Sequence, residues 1–533
     1  MFALVAIIAA STSLSLYWVF TVPIFEAPDE QTHFDYALNI YSAGRLITVR
    51  ESLREWNSPP YDRHVFTEYL IRESGVRSMQ FNPSVKAPAG YGTKTFYDRL
   101  DLQAPREDSG GLTAQSRTGY SYIGVYPAGY YAVLAAWMKL LRIFSNRITV
   151  LFFGARIFSV MLLVPTLVLI YATARELRLA SARALLFTGI VGLFPMTTFV
   201  SSYIQADNLS LTLVMLCCYL ALRLRRKPED ARLLLFLGIA LGILCMTKNH
   251  VYLATFLAIL PMAAADQLTG RRKTIGWPRF IGFILAPTLV VICIQAWIMY
   301  GANRYPVLSD PVMNHDDLLR AASSGKWAVV SFLIDGAGLA FSNFYLNGST
   351  PLNVSTCATF WGLFGWVDTP LIIMSPSKTE VINDLIALLN VVVFALTLFR
   401  LQQVATRLIL IAKRGRWRLA LSFALSNPLL NAYFLFTVLM FGLFMLVRKS
   451  LAPQGRNWFP FILPIFMVGA QYASKALSHR LARRAFASLI LTCLVLYCIV
   501  GSYYAIRAIN KRYYGTLYQT QSANGDSSSG WHS

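Results

Sequence analysis

Apolar runs of roughly 17–25 residues recur along this chain, the length a helix needs to cross about 30 Å of hydrocarbon. The runs lie at 2–25, 148–173, 184–203, 207–224, 231–247, 250–265, 279–300, 380–400, 419–447, 457–474 and 486–506. In lipid every backbone polar group must be satisfied within its own element. The fold class they predict is therefore an all-α polytopic membrane protein with about 11 transmembrane helices. Only 14% of the 533 residues are charged, against about 25% in a soluble domain. That composition excludes an ordinary soluble enzyme.

The net charge of +22 would suggest nucleic acid in a soluble protein. Here the Lys and Arg sit mostly in short loops between apolar runs, where they set topology, and no nucleic-acid partner is expected. One alternating set of loops carries 22 basic residues, from Arg175, Arg178 and Arg183 to Lys475, Arg480, Arg483 and Arg484. The short loops of the other set carry only Lys248, Arg448, Lys449 and Arg456. The rich side is cytoplasmic, which puts the N-terminus inside and the C-terminus outside.

This reading divides the chain in order. Residues 1–25 form the first transmembrane helix and 26–147 a first extracytoplasmic loop with interfacial helices. Six transmembrane helices follow over 148–300, then a second large outer loop over 301–379. Four more helices occupy 380–515, and 516–533 are a polar tail whose composition predicts disorder. "GYYAVLAAWMKLLRIF" (129–144) has apolar residues at helical spacing, with Lys139 and Arg142 on its polar side. It predicts an amphipathic helix lying at the interface. The first run lacks a basic leader and exceeds a signal-peptide core, so it reads as an uncleaved span. The seven cysteines show neither a disulfide framework nor zinc spacing.

The first outer loop is rich in acid: thirteen of the 26 Asp and Glu lie within 26–147. It begins with "FEAPDEQTHFDY" (25–36), directly at the membrane exit. Two readings compete there. In one, Pro28 takes the first helical position and Asp29 and Glu30 only complement the helix dipole. In the other, a carboxylate at the interface is partly desolvated, which raises its pKa toward the range of a general base. Asp29 and His33 are four apart and share one helix face. Asp29, Glu30 and His33 are also candidate ligands for a divalent metal of open identity.

Lys248 in "CMTKNHVY" and Arg456 in "APQGRNWFP" stand against the charge trend. They either snorkel to headgroups or clamp a lipid phosphate, for which Arg offers a planar fork and Lys a point charge. Asp207, in "SYIQADNLS", is either a turn or N-cap residue or a second functional acid. Trp361 belongs to "TFWGLFGWVDTPL" (359–371), which lines a glycan or lipid groove or serves as an interfacial aromatic belt. No phosphate-binding loop, dinucleotide fingerprint or nucleophile elbow occurs in a plausible context.

An acid pair just after the first span, a large first outer loop, "YPAGYYAVLAAWMKLL" (126–141) and a second span ending in "YATARELR" (171–178) resemble the GT-C superfamily of membrane glycosyltransferases. Taken in order, "PDEQTHF" (28–34), "QADNLS" (205–210), "TK" (247–248), "FWGLFGWVDTPL" (360–371) and "QGRNWFP" (454–460) are most similar to a bacterial branch filed as predicted membrane proteins. The resemblance departs at "QGRNWFP", where Asn457 stands in place of the aromatic expected after the Arg. It implies a polyprenyl-phosphate-linked sugar donor, used on the outer face of the bacterial inner membrane. It also implies Asp29 as the base that deprotonates the acceptor hydroxyl, with Glu30 beside it, and inversion at the sugar. The acceptor expected is a cell-envelope glycan, glycolipid or protein. Asp207, His33 and Trp361 join Lys248 and Arg456 as substrate-binding candidates. A flippase for lipid-linked glycans would use the same phosphate contacts, but would show more polar residues within its spans. An oligosaccharide ligase or polymerase shares the chemistry and differs in the size of the group moved.

Overall fold

The computed structural model describes residues 2–46, 66–79, 85–104, 127–224, 226–249, 251–259, 277–300, 363–364, 369–370, 406, 409–411, 413–416 and 480–515. The expected spans at 380–400, 419–447 and 457–474 lie outside the described residues, and so do Trp361 and Arg456.

The described part is mostly helical. Its helices are α1 (Phe2–Thr21), α2 (Glu30–Ala43), α3 (Phe66–Glu73), α4 (Val76–Met79), α5 (Lys94–Gln103), α6 (Gly129–Phe144), α7 (Ile148–Glu176), α8 (Ser181–Gly192), α9 (Pro195–Val200), α10 (Asp207–Leu224) and α11 (Ala231–Cys245). Residues 251–259 form α12. Then come α13 (Trp277–Phe280), a π-turn over Ile281–Leu285, α14 (Ala286–Tyr300) and α15 (Arg480–Tyr514). A two-residue antiparallel pair joins β1 (Leu363–Phe364) to β2 (Thr369–Pro370). Among the described residues, four helices are long and apolar enough to cross a bilayer: α1, α7, α10 and the Leu491–Tyr514 part of α15. Their apolar side chains are partly exposed, as in Phe20, Met161 and Ile499; among lipid tails an apolar surface needs no protein cover.

One expected span is broken. Residues 184–203 are not one helix: α8 stops at Gly192, and α9 restarts at Pro195. Proline lacks an N–H and its ring collides with the preceding turn, so it opens a helix more readily than it continues one.

Helix α7 packs against α1, α6, α8 and α10, and α10 in turn against α11. Several helix ends then meet at one end of the bundle. Tyr514 donates its hydroxyl to Thr21 O (2.7 Å), and Asn510 Nδ2 bonds Tyr17 Oη (2.7 Å). Asp101 receives both the backbone N–H and the hydroxyl of Thr149 (3.0 and 2.7 Å). Gly129 N–H donates to Met246 O (2.7 Å), joining the start of α6 to the end of α11. The first loop is tied to the last helix: Arg512 donates to Val85 O and Met79 O (2.6 and 2.7 Å), and Lys86 Nζ to Lys511 O and Arg512 O (both 3.1 Å). Burial first, then the charges of Arg512 and Lys511, lower the Lys86 pKa.

Candidate functional site

The chain leaves α1 through a turn over residues 22–29 in which two non-glycine residues, Phe25 (φ 61°) and Asp29 (φ 59°), are left-handed. Asp tolerates that conformation, whereas for a bulky residue it is an outlier that costs roughly 1–2 kcal/mol. Phe25 is held there by packing: its ring lies 5.0 Å from Phe152 and 5.8 Å from Phe34. Asp29 is the N-cap of α2, yet its side chain makes no capping bond. The helix proper starts at Glu30, so Pro28 stands before the cap rather than at the expected first helical position. Thr32 N–H, Thr32 Oγ1 and His33 N–H all donate to Asp29 O, at 3.1, 2.7 and 3.2 Å. The Asp29 backbone is thereby fixed while its side chain remains half-buried.

Glu30 has a different environment. It is fully buried, and Arg156 of α7 reaches it with Nε to Oε1 (2.8 Å) and Nη2 to Oε2 (2.6 Å). The other Arg156 donors go to Val19 O (2.8 Å), Val22 O (2.6 Å) and Pro23 O (2.8 Å). All five guanidinium N–H groups are thus used. The guanidinium also lies 4.7 Å over the Phe152 ring. Ile204 N–H adds a bond to Glu30 Oε1 (3.2 Å), which brings in the segment before α10.

His33 is aimed by Tyr131, whose hydroxyl lies 2.7 Å from Nδ1 with the rings stacked at 11°. Tyr131 in turn sits against Tyr36 (4.5 Å) and Tyr130 (5.2 Å). Tyr130 and Ser159 share a hydrogen bond of 3.2 Å. Burial pushes the Tyr130 hydroxyl above its ordinary pKa; its bonds to Ser159 and the Gln205 backbone oppose the rise, and the Glu30 and Asp207 carboxylates add to it.

Asp207 is the first residue of α10 rather than its cap, and its carboxylate is ion-paired with Lys248. Both side chains are largely buried, at 7% and 13% exposed. Sequence positions 41 apart thus become one unit. Single bonds connect the helix ends that carry these residues: Glu30 to Ile204, three residues before Asp207, His33 to Tyr131 at the start of α6, and Gly129 to Met246, two before Lys248.

Gly129, in the "YPAG" stretch, makes this meeting possible. A Cβ there would lie 2.6 Å from Met246 O, two residues before Lys248. Among the described residues no group of three or more His, Cys, Asp or Glu is placed to hold a metal. Both oxygens of Glu30 accept from Arg156, and the candidate ligands Asp29, Glu30 and His33 are not such a group.

Sequence reasoning gave no role to Arg156, Tyr130, Tyr131 or Gly129. The last three lie in the "YPAGYYAVLAAWMKLL" stretch that carries the resemblance. Arg156 left a signal of its own, as a cation inside the apolar run "FFGARIF". An ionisable residue there demands a partner, but hydropathy does not say which.

Mostly helical, with several apolar helices and a polar cluster at one end, the chain has the make-up of an integral membrane protein. Residues 14–414 match the family described as "Predicted membrane protein (DUF2142)", and the chain belongs to that family. No curated protein matches it. Among solved structures it is similar to the Archaeoglobus fulgidus oligosaccharyltransferase, crystallised tethered by a disulfide to an acceptor peptide containing the NVT sequon. That similarity has 12% identity and a TM-score of 0.40, and covers 97% of this chain and 56% of the other. The chain thus spans a little over half the length of that enzyme.

Proposed function

We propose that this protein is an inverting GT-C-type glycosyltransferase that moves a sugar from a polyprenyl-phosphate donor to a cell-envelope glycan, glycolipid or protein. The observation that carries the reading is the placement of Asp29. It is half-buried and held left-handed at the start of α2, the helix end that single bonds connect to those carrying Asp207 and Lys248. The turn that Asp29 ends also holds Phe25 left-handed, and strained backbone of that kind clusters at functional sites. The ordered motifs that resemble GT-C enzymes support the same reading.

In this mechanism Asp29 takes the proton of the acceptor hydroxyl. The acceptor oxygen attacks the anomeric carbon from the face opposite the phosphate, and the bond from that carbon to the phosphate oxygen breaks. The lipid phosphate leaves with the bonding electrons, and the configuration inverts. His33, fixed by Tyr131, and Glu30, fixed by Arg156, orient the base. Lys248, aimed by Asp207, and Arg456 stabilise the leaving phosphate. Trp361 lines the substrate groove. The site faces the outside of the bacterial inner membrane, between the first outer loop and the span ends, with about 11 spans, N-terminus in and C-terminus out.

The test uses membranes carrying wild type or Asp29→Asn at matched levels, with radiolabelled polyprenyl-phosphate sugars and envelope glycan acceptors. Loss of the base lowers transfer by about 10²–10⁴-fold. Equal transfer by both proteins would remove Asp29 from the mechanism. No transfer by either, across the donor panel, would favour a transporter of lipid-linked glycans.

A further inference from the structure

Arg156 stands in the interior of an apolar helix, fully buried, with every donor satisfied. Stability alone does not call for such a residue. A buried ion pair replaced by apolar side chains of similar volume is often neutral or better, because burying two charges costs so much solvation. What distinguishes this pair is the distribution of its bonds. Three go to carbonyls where the chain leaves α1 (Val19, Val22, Pro23), and two go to Glu30, where the chain enters α2. A single planar guanidinium therefore brackets both ends of the 22–29 turn. That turn contains the two left-handed residues, and Asp29 is its last member, bonded to the bracket through Glu30. The Ile204 N–H on Glu30 Oε1 ties the same bracket to the segment leading into Asp207.

We infer that Arg156 is a positioning residue for Asp29: with Glu30 it clamps the turn from α1 to α2 and sets the place of the Asp29 carboxylate relative to the Asp207–Lys248 pair. The catalytic part of this inference rests on the glycosyl-transfer reading; the placement of residue 29 does not.

The experiment uses the full chain in nanodiscs and the double variant Arg156→Leu/Glu30→Leu, which removes both charges and leaves neither stranded. Two quantities are read. The first needs no donor: Asp29→Cys is introduced into the wild-type and double-variant backgrounds, and the maleimide alkylation rate of residue 29 is followed by peptide mass spectrometry. The second is the kcat and donor KM of transfer with Asp29 intact. The clamp predicts that the double variant accumulates but melts below wild type, because the carbonyls of Val19, Val22 and Pro23 lose their donor, while the alkylation rate at residue 29 changes several-fold. It also predicts that kcat falls about a hundredfold, the scale of a misplacement near 1 Å, with donor KM unchanged. Wild-type alkylation and wild-type kcat in the double variant would reduce Arg156 to a structural residue and overturn the inference. If wild type transfers no sugar, the enzyme reading fails, and the alkylation rates alone decide the clamp. Should the double variant not accumulate, Arg156→Lys takes its place. It keeps the charge opposite Glu30 but cannot also reach three carbonyls, so lowered kcat and altered alkylation are expected, and wild-type values for both refute the clamp.

Discussion

Replacing Gly129 with Ala tests how closely α6 and the end of α11 must approach. The added Cβ would lie 2.6 Å from Met246 O and 2.9 Å from both the carbonyl carbon and the Cβ of Met246. Two of those three atoms are backbone, so no flexible side-chain tip can swing aside. Relief requires α6 or the 246–248 turn to move, and overpacking of this kind costs about 1–3 kcal/mol. The Gly129 N–H bond to Met246 O, now 2.7 Å, is lost or stretched, which adds about 0.5–1.5 kcal/mol. Against this, Ala in place of Gly within a helix returns roughly 0.5–1 kcal/mol. Summing these terms leaves a net loss of about 0.5–4 kcal/mol. Gly282→Ala is the control: its Cβ meets nothing within 4 Å, so only the gain of about 0.5–1 kcal/mol is expected. The assay is the unfolding free energy of each purified variant by denaturant titration in mixed micelles. Opposite signs for the two substitutions support the contact. A Gly129→Ala protein as stable as wild type would refute the close approach and, with it, the link between "YPAG" and Lys248.

Lys248→Met leaves the buried Asp207 carboxylate without its ammonium and is expected to cost about 3–5 kcal/mol; Asp207→Leu added to it should restore most of the loss in the same titration, and no restoration would mean the pair is not energetically coupled. Arg512→Leu strands the carbonyls of Val85 and Met79, at about 1–3 kcal/mol for each unsatisfied buried group. Limited proteolysis should then cut the first loop faster while α7 and α10 stay protected; unchanged cutting would dissociate the last helix from that loop. Burial, then the Glu73 and Asp101 carboxylates, push the Tyr69 hydroxyl from its ordinary 10.0 to about 12. A raised folded pKa contributes stability that is full below the unfolded value and lost as pH rises through the folded one. Wild type should therefore lose stability between those two values more steeply than Tyr69→Phe, and parallel alkaline melting curves would contradict the assignment.

The sequence by itself determined the class of this protein and, among the described residues, where several of its apolar helices run. Whether a side chain partitions into hydrocarbon depends on that side chain, so a run such as 2–25 or 207–224 announces a helix with no knowledge of its neighbours. It also determined that 129–144 is helical, because helical spacing is local; Asp29, left-handed and ahead of its helix, is not placed by that spacing. Local reading began to fail where a break competes with hydropathy. The run 184–203 is apolar throughout, yet Pro195 divides it into α8 and α9. It failed altogether for the partners. Glu30 and Arg156 are 126 residues apart, Asp207 and Lys248 are 41 apart, and His33 and Tyr131 are 98 apart. Nothing in either partner's local sequence names the other. Tertiary structure alone separated two adjacent acids, sealing Glu30 into an ion pair and leaving Asp29 half-buried. The reason is steric and electrostatic together: one guanidinium has five donors in a fixed plane, and only the packing of α1, α2 and α7 decides which oxygens reach them.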